Sequence, residues 1–423
     1  MAEIRQPTAT ETMTRDDGGF RASMLRWVFL AFLVRAVAAL VVDNLARQKQ
    51  VLCLFDDTRV YWYLAGRICA GLSYMVPQYD IPHFALRTPG YPLFLAGIRV
   101  VFGESTLAPR LVQAIFCACS AGLLMDLVRQ TMGATDRGQQ AILWAGRIAA
   151  LEPFSIGLSI LLLSESLFVP LVLLGLCGLE RLTRSDGVVP IFSVSLLTGM
   201  VQGITVLVRP SWLLFVPLSC LWLWTQRGTA YEPGMRRLRL VFLFLGFVLI
   251  MSPWWVRNAL VLGRFVPTAL WMGASLYDGL NPDATGASDM RFMDDPEIRG
   301  LDEWTQDRFL RDQAVAFVVS EPLRVLQLAT IKMVRFWSPW PNAQEFRYPI
   351  LAVMGVLVSV PLYGVMIKGA WDLRLNHRAL VLLLTPLLYV SILHLVFVGS
   401  IRYRLAVEVP AFGLAAFALS KKK

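Results

Sequence analysis

Two adjacent carboxylates, Asp56 and Asp57, have the type and position in this chain best suited to chemistry. They follow the first long apolar run by about a dozen residues, which places ionisable groups near a membrane face. Carboxylates at such a depth are costly and therefore candidates for function, including acid or base chemistry. A helix is predicted to begin beside them, so either could instead cap its backbone N–H groups. The spacing leaves capping and catalysis equally supported.

A second pair of charges, Arg402 and Arg404, is predicted to occupy a short turn between two membrane spans, with Tyr403 between them. Two guanidinium groups held together could clamp a phosphate through forked hydrogen bonds. The alternative is that each side chain extends to the lipid headgroups, which is common for an arginine at the end of a span.

Glu165 is a further ionisable residue, and it lies inside an apolar run. A carboxylate there either pairs with a cation or lines a water-filled cavity. Arg35 and Arg147 are the intramembrane partners that the sequence offers, so a structural ion pair with one of them is the favoured interpretation. His83 and His394 have no ligand partner at helical spacing, and no metal site is predicted.

The elements that must position these residues are membrane helices. Of 423 residues, 56% are hydrophobic and 17% charged, a composition that excludes a soluble globular domain. We predict an all-α polytopic membrane protein, with a cytoplasmic leader over residues 1–26 and one integral domain over 27–423. The net charge of +10 indicates cytoplasmic anchoring and contact with anionic lipids, and nucleic acid is not implied.

About ten transmembrane helices are predicted from runs of span length. They cover residues 27–42, 106–128, 138–152, 155–180, 190–208, 211–226, 238–258, 346–367, 379–399 and 405–420. Residues 88–102 and 323–337 are too short or too charged to cross, and they are predicted to lie along the interface as amphipathic helices, as is the helix that follows Asp57.

Alternate loops are basic, which predicts cytoplasmic N- and C-termini. Residues of about 43–105 and 259–345 then form two extracytoplasmic loops. Both are unusually basic for a translocated surface, and an anionic substrate is the simplest reason for that charge.

Several motifs together resemble the GT-C glycosyltransferases. They are the acidic pair with Tyr61, Ala65 and Gly66, RTPGYPLFLAGIRVVFG from Arg87, LLLSESLF from Leu161, LVRPSWLLFVP from Leu207, SPWWVRN from Ser252 and RYRLAVEVPAF from Arg402. Within that superfamily the chain is most similar to the family 39 type, which includes bacterial relatives of dolichyl-phosphate-mannose protein mannosyltransferases and of the lipid A aminoarabinose transferase. Many relatives have Asp-Glu where this chain has Asp56-Asp57.

The resemblance implies a GT-C-type fold and transfer of a sugar from a polyprenyl-phosphate donor to a glycan, lipid or protein acceptor at the extracytoplasmic face of the inner membrane. It implies Asp56 as general base, with Asp57 either orienting the acceptor or binding a divalent metal. No nucleotide is needed, and the residues do not by themselves indicate a metal. Arginines would hold the donor phosphate; these are Arg87, Arg209, Arg257, Arg402 and Arg404. Other residues expected to line the substrate site are Tyr61, Tyr91, Glu165, Tyr403 and Asn281, although Asn281 is also of a type that simply makes turns.

The alternative function is a polytopic transporter or lipid flippase. Such a protein would also use intramembrane charges, but internal repeats and broken midplane helices would be expected, and no convincing repeat relates the two halves. An enzyme that transfers an acyl or phosphoethanolamine group would need a threonine or histidine nucleophile or a metal cluster, and the chain has only three histidines.

Overall fold

The computed structural model describes residues 17–48, 55–78, 81–133, 135–183, 188–226, 233–342, 346 and 348–421. Helices dominate these residues, as the composition predicts. Residues 1–16 of the predicted leader lie outside this range, and the first helix begins at Asp17, ten residues before the predicted span.

The first half of the described chain is a series of helices interrupted by one small hairpin. Its elements are α1 (Asp17–Gln48), α2 (Asp56–Cys69), β1 (Val76–Gln78), β2 (Ile81–His83), α3 (Gly90–Phe102), α4 (Leu107–Met132), α5 (Asp136–Leu151), α6 (Pro153–Ile160), α7 (Glu165–Leu182) and α8 (Val188–Val208). The strands pair antiparallel, with Val76 opposite His83. This hairpin was not predicted, because two three-residue strands that each contain a proline leave little periodic signal.

The second half begins with α9 (Phe215–Thr225) and α10 (Pro233–Leu262). There follow α11 (Met272–Gly279), α12 (Pro296–Arg299), α13 (Glu303–Ser320), α14 (Pro322–Phe336), α15 (Pro349–Asp372), α16 (His377–Leu393), α17 (Ile401–Glu408) and α18 (Phe412–Leu419). Short 3-10 turns occupy Pro210–Trp212, Met290–Asp294 and Val409–Ala411.

The chain is an integral membrane protein. Within the described residues, five helices are long and apolar enough to cross a bilayer, namely α1, α4, α8, α10 and α15. Counting each of two bent helix pairs as one span raises the number to seven, so the expected ten spans are not confirmed. The predicted interfacial segments are short helices, α3 and α14. Helix α14 is bent by 108° from α13, so the two do not form one straight span.

Three predicted spans differ from the structure in ways that shape the site. Residues 155–180 are not one helix, because α6 ends at Ile160 and α7 starts at Glu165. Residues 379–399 are helical only to Leu393, and the final span begins at Ile401 rather than 405. Apolar composition alone cannot show the break after Ile160, because α6 and α7 on either side of it are both apolar.

Helices α8 and α10 lie in backbone contact, and this contact fixes the position of the chain just after α8. A Cβ atom on Gly199 would lie 1.9 Å from the Leu243 carbonyl oxygen, and one on Gly246 would lie 2.1 Å from that of Leu196. Small residues allow such close helix packing in membranes. Because α8 ends at Val208, its packing also positions Arg209, the next residue.

Candidate functional site

Five charged residues from distant parts of the sequence form one ion-pair cluster: Asp57, Arg87, Glu165, Arg209 and Arg402. Oδ1 of Asp57 lies 3.0 Å from Nη2 of Arg87, and its Oδ2 lies 3.0 Å from Nη1 of Arg402. Nε of Arg402 donates to Oε1 of Glu165, which also lies 2.8 Å from Nη1 of Arg209.

The cluster carries one excess positive charge, since three guanidinium groups face two carboxylates. Glu165 is fully buried, whereas the three arginine side chains are 15–18% exposed and that of Asp57 is 30% exposed. Burial alone would raise the pKa of Asp57, but the adjacent Arg402 and Arg87 hold it below its ordinary value. The arrangement is therefore a partly open cationic site able to accept an anion.

Asp57 reaches the cluster from the first turn of α2, whereas Asp56 does not. The Asp56 side chain is 98% exposed, and its carboxylate lies 3.8 Å from Arg59. Phe55 occupies the N-cap without a side-chain cap bond, so the structure does not support capping by either aspartate, which was one of the two alternatives. The buried face of α2 includes Tyr61 and Leu64.

Arg87 is presented by the loop between β2 and α3. The Tyr74 hydroxyl donates to the Arg87 carbonyl oxygen at 3.0 Å, and the Trp271 ring centre lies 4.7 Å from the guanidinium carbon. Gly90 permits the loop to approach the end of α8, because a Cβ there would lie 2.7 Å from the backbone of Leu207. The Arg-Thr-Pro-Gly motif thus brings Arg87 towards the chain that carries Arg209.

Glu165 enters the cluster because the chain breaks between α6 and α7. Thr58 donates to the Leu162 carbonyl oxygen at 3.0 Å, and Gln113 donates to that of Leu161 at 2.7 Å. These bonds hold the break in place, so Glu165 opens α7 at the cluster. Such an irregular backbone is tolerated at membrane depth where protein groups satisfy it.

The expected partners of Glu165 were wrong. Arg35 instead donates to the backbone oxygens of Ala149 and Ala150 at 2.9 and 3.0 Å. Arg147 lies against the rings of Trp27 and Trp144. Arg35 and Arg147 lie inside apolar runs, whereas the actual partners, Arg209 and Arg402, lie at helix ends that the fold places beside Glu165.

Arg402 and Arg404 do not face the same site. They lie in helix α17 rather than in the expected turn, and residues two apart on a helix point about 200° apart. The Arg404 guanidinium is buried and bonds to Glu408 and to the backbone oxygens of Phe336 and Ser338. The geometry therefore does not support a clamp by Arg402 and Arg404 together.

Two other predicted site residues, Arg257 and Asn281, bond to backbone groups outside the ion-pair cluster. Arg257 donates to the carbonyl oxygens of Phe84 at 2.6 Å and Tyr74 at 2.7 Å, so it braces the chain before Arg87. Asn281 donates to the Tyr277 carbonyl oxygen and accepts from the Asp283 amide, which makes it a turn residue.

Aromatic rings border the cluster. Tyr61 and Tyr91 meet edge to face with ring centres 5.0 Å apart, and the Tyr91 hydroxyl donates to Gln113. Tyr403 stacks on His394, and its ring centre lies 5.5 Å from the Arg209 guanidinium carbon. Phe55 and Trp271, which were not predicted as site residues, lie over Arg402 and Arg87 respectively. An isolated aromatic residue in a loop gives no sequence signal for such a contact.

Metal-type clusters of histidine, cysteine, aspartate or glutamate do not occur among the residues that the structure describes. His83 contacts the Ile81 carbonyl oxygen and Gln306, and His394 contacts the Val398 carbonyl oxygen. Both histidines therefore have ordinary protein hydrogen-bond partners.

Solved structures resemble this chain over most of its length. The apo oligosaccharyltransferase of Archaeoglobus fulgidus aligns with a TM-score of 0.56 and 14% identity, over 93% of this chain and 50% of that one. The same organism's oligosaccharyltransferase AglB in complex with an inhibitory peptide and a dolichol-phosphate aligns at 0.50 and 12% identity, over 94% and 50%. ArnT from Cupriavidus metallidurans, bound to undecaprenyl phosphate, aligns at 0.45 and 14% identity, over 91% and 76%.

The likeness to the two archaeal structures shows that this chain shares their fold. It spans about half the length of the archaeal structures. No protein-family model and no curated protein sequence matches it.

Proposed function

We propose that this chain, a membrane protein of GT-C fold, transfers a sugar from a polyprenyl-phosphate donor to an acceptor at the extracytoplasmic face of the inner membrane. The observation that carries the proposal is the partly exposed ion-pair cluster with one excess positive charge. A structure of the same fold contains a dolichol-phosphate, which is an anion of the required class. The cytoplasmic termini and the extracytoplasmic loops of about 43–105 and 259–345 belong to the same proposal.

The donor phosphate would be held by Arg87, Arg209 and Arg402, whose guanidinium groups already converge. In the ligand-free protein, the Asp57 and Glu165 carboxylates act as anions that hold these cations together. When a phosphate enters, it competes with Asp57 for Arg87 and Arg402. The pKa of Asp57 then rises towards its ordinary value, because two stabilising cations are shared with a second anion.

Asp57 is therefore a stronger choice for the general base than Asp56. The acceptor nucleophile attacks the anomeric carbon while the bond from that carbon to the phosphate oxygen breaks. The acceptor proton passes to the Asp57 carboxylate, and the bonding electrons leave with the polyprenyl phosphate. The arginines stabilise the added negative charge on the leaving phosphate. Asp56, exposed at the rim, is left to contact the acceptor.

The rival transporter or flippase function would require an alternating-access arrangement. The fold resemblance is instead to transferases, and the ionisable groups converge on one site. An expressed chain reconstituted in sealed proteoliposomes would separate the two functions. We expect glycosylated acceptor and free polyprenyl phosphate to appear together. Movement of the intact lipid-linked sugar between leaflets without cleavage would support the flippase.

The donor and acceptor can be identified by mass spectrometry of lipids and glycans from cells with and without the gene. Loss of one modified glycan, lipid or protein, with accumulation of the matching lipid-linked sugar, is the result expected. Unchanged lipids and glycans, in a strain shown to express the protein, would contradict the proposal.

A further inference from the structure

The backbone just before Arg87 is held by a buried carboxylate from a distant helix. Glu303, the first residue of α13, accepts hydrogen bonds from two successive amides. Its Oε2 accepts from the Phe84 N–H at 2.7 Å, and its Oε1 accepts from the Ala85 N–H at 2.8 Å. The side chain is thus fully committed, and the residue is only 4% exposed.

The carbonyl oxygens of the same two residues also accept hydrogen bonds, one from α10 and one from the chain that follows α10. Arg257 donates to the Phe84 oxygen at 2.6 Å, and the Leu270 N–H donates to the Ala85 oxygen at 2.8 Å. Both amides and both carbonyls of Phe84 and Ala85 are therefore fixed by residues 257–303. Trp271, next to Leu270, covers the Arg87 guanidinium.

We propose that Glu303 is a positioning residue for the donor-phosphate site: by fixing Phe84 and Ala85, it holds Arg87 where its guanidinium can bind the phosphate. This inference rests on the proposed function. After Arg87 the backbone is held by the Tyr74 hydroxyl, which bonds to the carbonyl oxygens of Arg87 and Thr88, and by the start of α3 at Gly90. Before Arg87 it is held by the contacts of Phe84 and Ala85. Loss of the Glu303 contacts would leave the Phe84 and Ala85 amides without acceptors, so only the bonds from Arg257 and Leu270 to the two carbonyl oxygens would still hold this part of the loop.

The protonation state of Glu303 should control how well it holds the loop. Burial raises the pKa of Glu303 to about 7, although the two amides and Arg257 oppose that rise. Asp307, one turn along α13, raises it further, and His83 of β2 contacts Gln306 on the neighbouring turn. A protonated carboxyl group has a hydroxyl that donates rather than accepts, so one amide loses its partner below pH 7.

The test uses the full chain in nanodiscs with undecaprenyl phosphate as the probe. Glu303→Gln keeps the size of the side chain but offers one acceptor instead of two. Glu303→Asp keeps the charge on a shorter side chain, and it is the variant to test if Glu303→Gln folds poorly. Glu321→Gln is the matched control, because Glu321 is exposed and its side chain makes no cap bond.

We expect Glu303→Gln to increase hydrogen–deuterium exchange at Phe84 and Ala85 and to weaken binding of undecaprenyl phosphate by about tenfold, as expected for a buried donor left unpaired. Arg87→Lys should weaken binding by a similar or larger factor, while Glu321→Gln should match the wild type. Binding should weaken more from pH 8 to pH 6 in the wild type than in Glu303→Gln, in which only the protonation of the probe's own phosphate, with a second pKa of about 6, remains.

Two negative results have different meanings. If the wild type does not bind undecaprenyl phosphate, the proposed function fails and this inference fails with it. If the wild type binds, Arg87→Lys binds poorly and Glu303→Gln binds as well as the wild type, only the positioning role of Glu303 is rejected. Unchanged amide exchange at Phe84 and Ala85 in both Glu303 variants would also overturn it.

Discussion

The Arg402 guanidinium bridges two carboxylates that lie 108 residues apart in the chain, Asp57 and Glu165. Its Nη1 lies 3.0 Å from Asp57, and its Nε donates to Glu165. Both carboxylates lie at the start of a helix: Asp57 is in the first turn of α2, and Glu165 is the first residue of α7. The proposed reaction predicts a distinct effect for a substitution at each of these residues.

Replacing Asp57 with asparagine should abolish sugar transfer. Loss of a general base costs about two to four decades in rate. Asp56→Asn is the matched control and should change the rate by only a few-fold, because the Asp56 side chain is 98% exposed and outside the cluster. Single-turnover assays at saturating donor measure both. An inactive Asp56→Asn with an active Asp57→Asn would restore Asp56 as the base.

Arg402→Lys should impair donor binding, whereas Arg404→Lys should impair stability. A lysine offers a point charge without the forked geometry, so Arg402→Lys should raise the donor KM by about tenfold or more. Arg404 is buried among Glu408 and two carbonyl oxygens, so Arg404→Lys should lower thermal stability. Donor titrations and thermal melts of both variants provide the comparison. A raised donor KM in properly folded Arg404→Lys would contradict the assignment.

Glu165→Gln should destabilise the protein strongly. It would leave Arg209 and Arg402 without their buried carboxylate, and breaking a buried pair costs about 3–5 kcal/mol. Glu104→Gln is a suitable control, because Glu104 pairs with Arg99 at the surface, where ion pairs contribute about 0–1 kcal/mol. Melting in detergent should separate the two variants clearly.

The same melts contain an internal check on Glu165. Addition of undecaprenyl phosphate should stabilise Glu165→Gln more than it stabilises the wild type, since a bound anion partly replaces the lost carboxylate. Equal stabilisation of both proteins would place the phosphate away from Arg209 and Arg402.

The proposed topology places Arg59 and Trp340 on one side of the membrane and Leu375 on the other. Each is exposed, so a cysteine introduced there in a background without the six native cysteines should be accessible to reagent. An impermeant maleimide should label Arg59→Cys and Trp340→Cys on intact cells. Leu375→Cys should react only after permeabilisation. Labelling of Arg59→Cys and Trp340→Cys from opposite sides would reject the shared active-site face.

The sequence by itself determined the membrane class, the positions of most helices and part of the region that forms the ion-pair cluster. Long apolar runs located α1, α4, α8, α10 and α15, because only a helix satisfies its own backbone within lipid. The motif from Arg87 and the acidic pair marked two sides of the ion-pair cluster, and the resemblance to GT-C enzymes agrees with the fold.

Tertiary structure decided which charged groups meet. Asp56 and Asp57 have the same chemistry and adjacent positions, and only the orientation of α2 places Asp57 beside two arginines. The separation of Arg402 from Arg404 required knowing that they lie in a helix. Glu165 pairs with Arg209 and Arg402 because of a helix break that hydropathy does not reveal. Ion pairs form between groups close in space, whereas sequence patterns report mainly on neighbours along one helix.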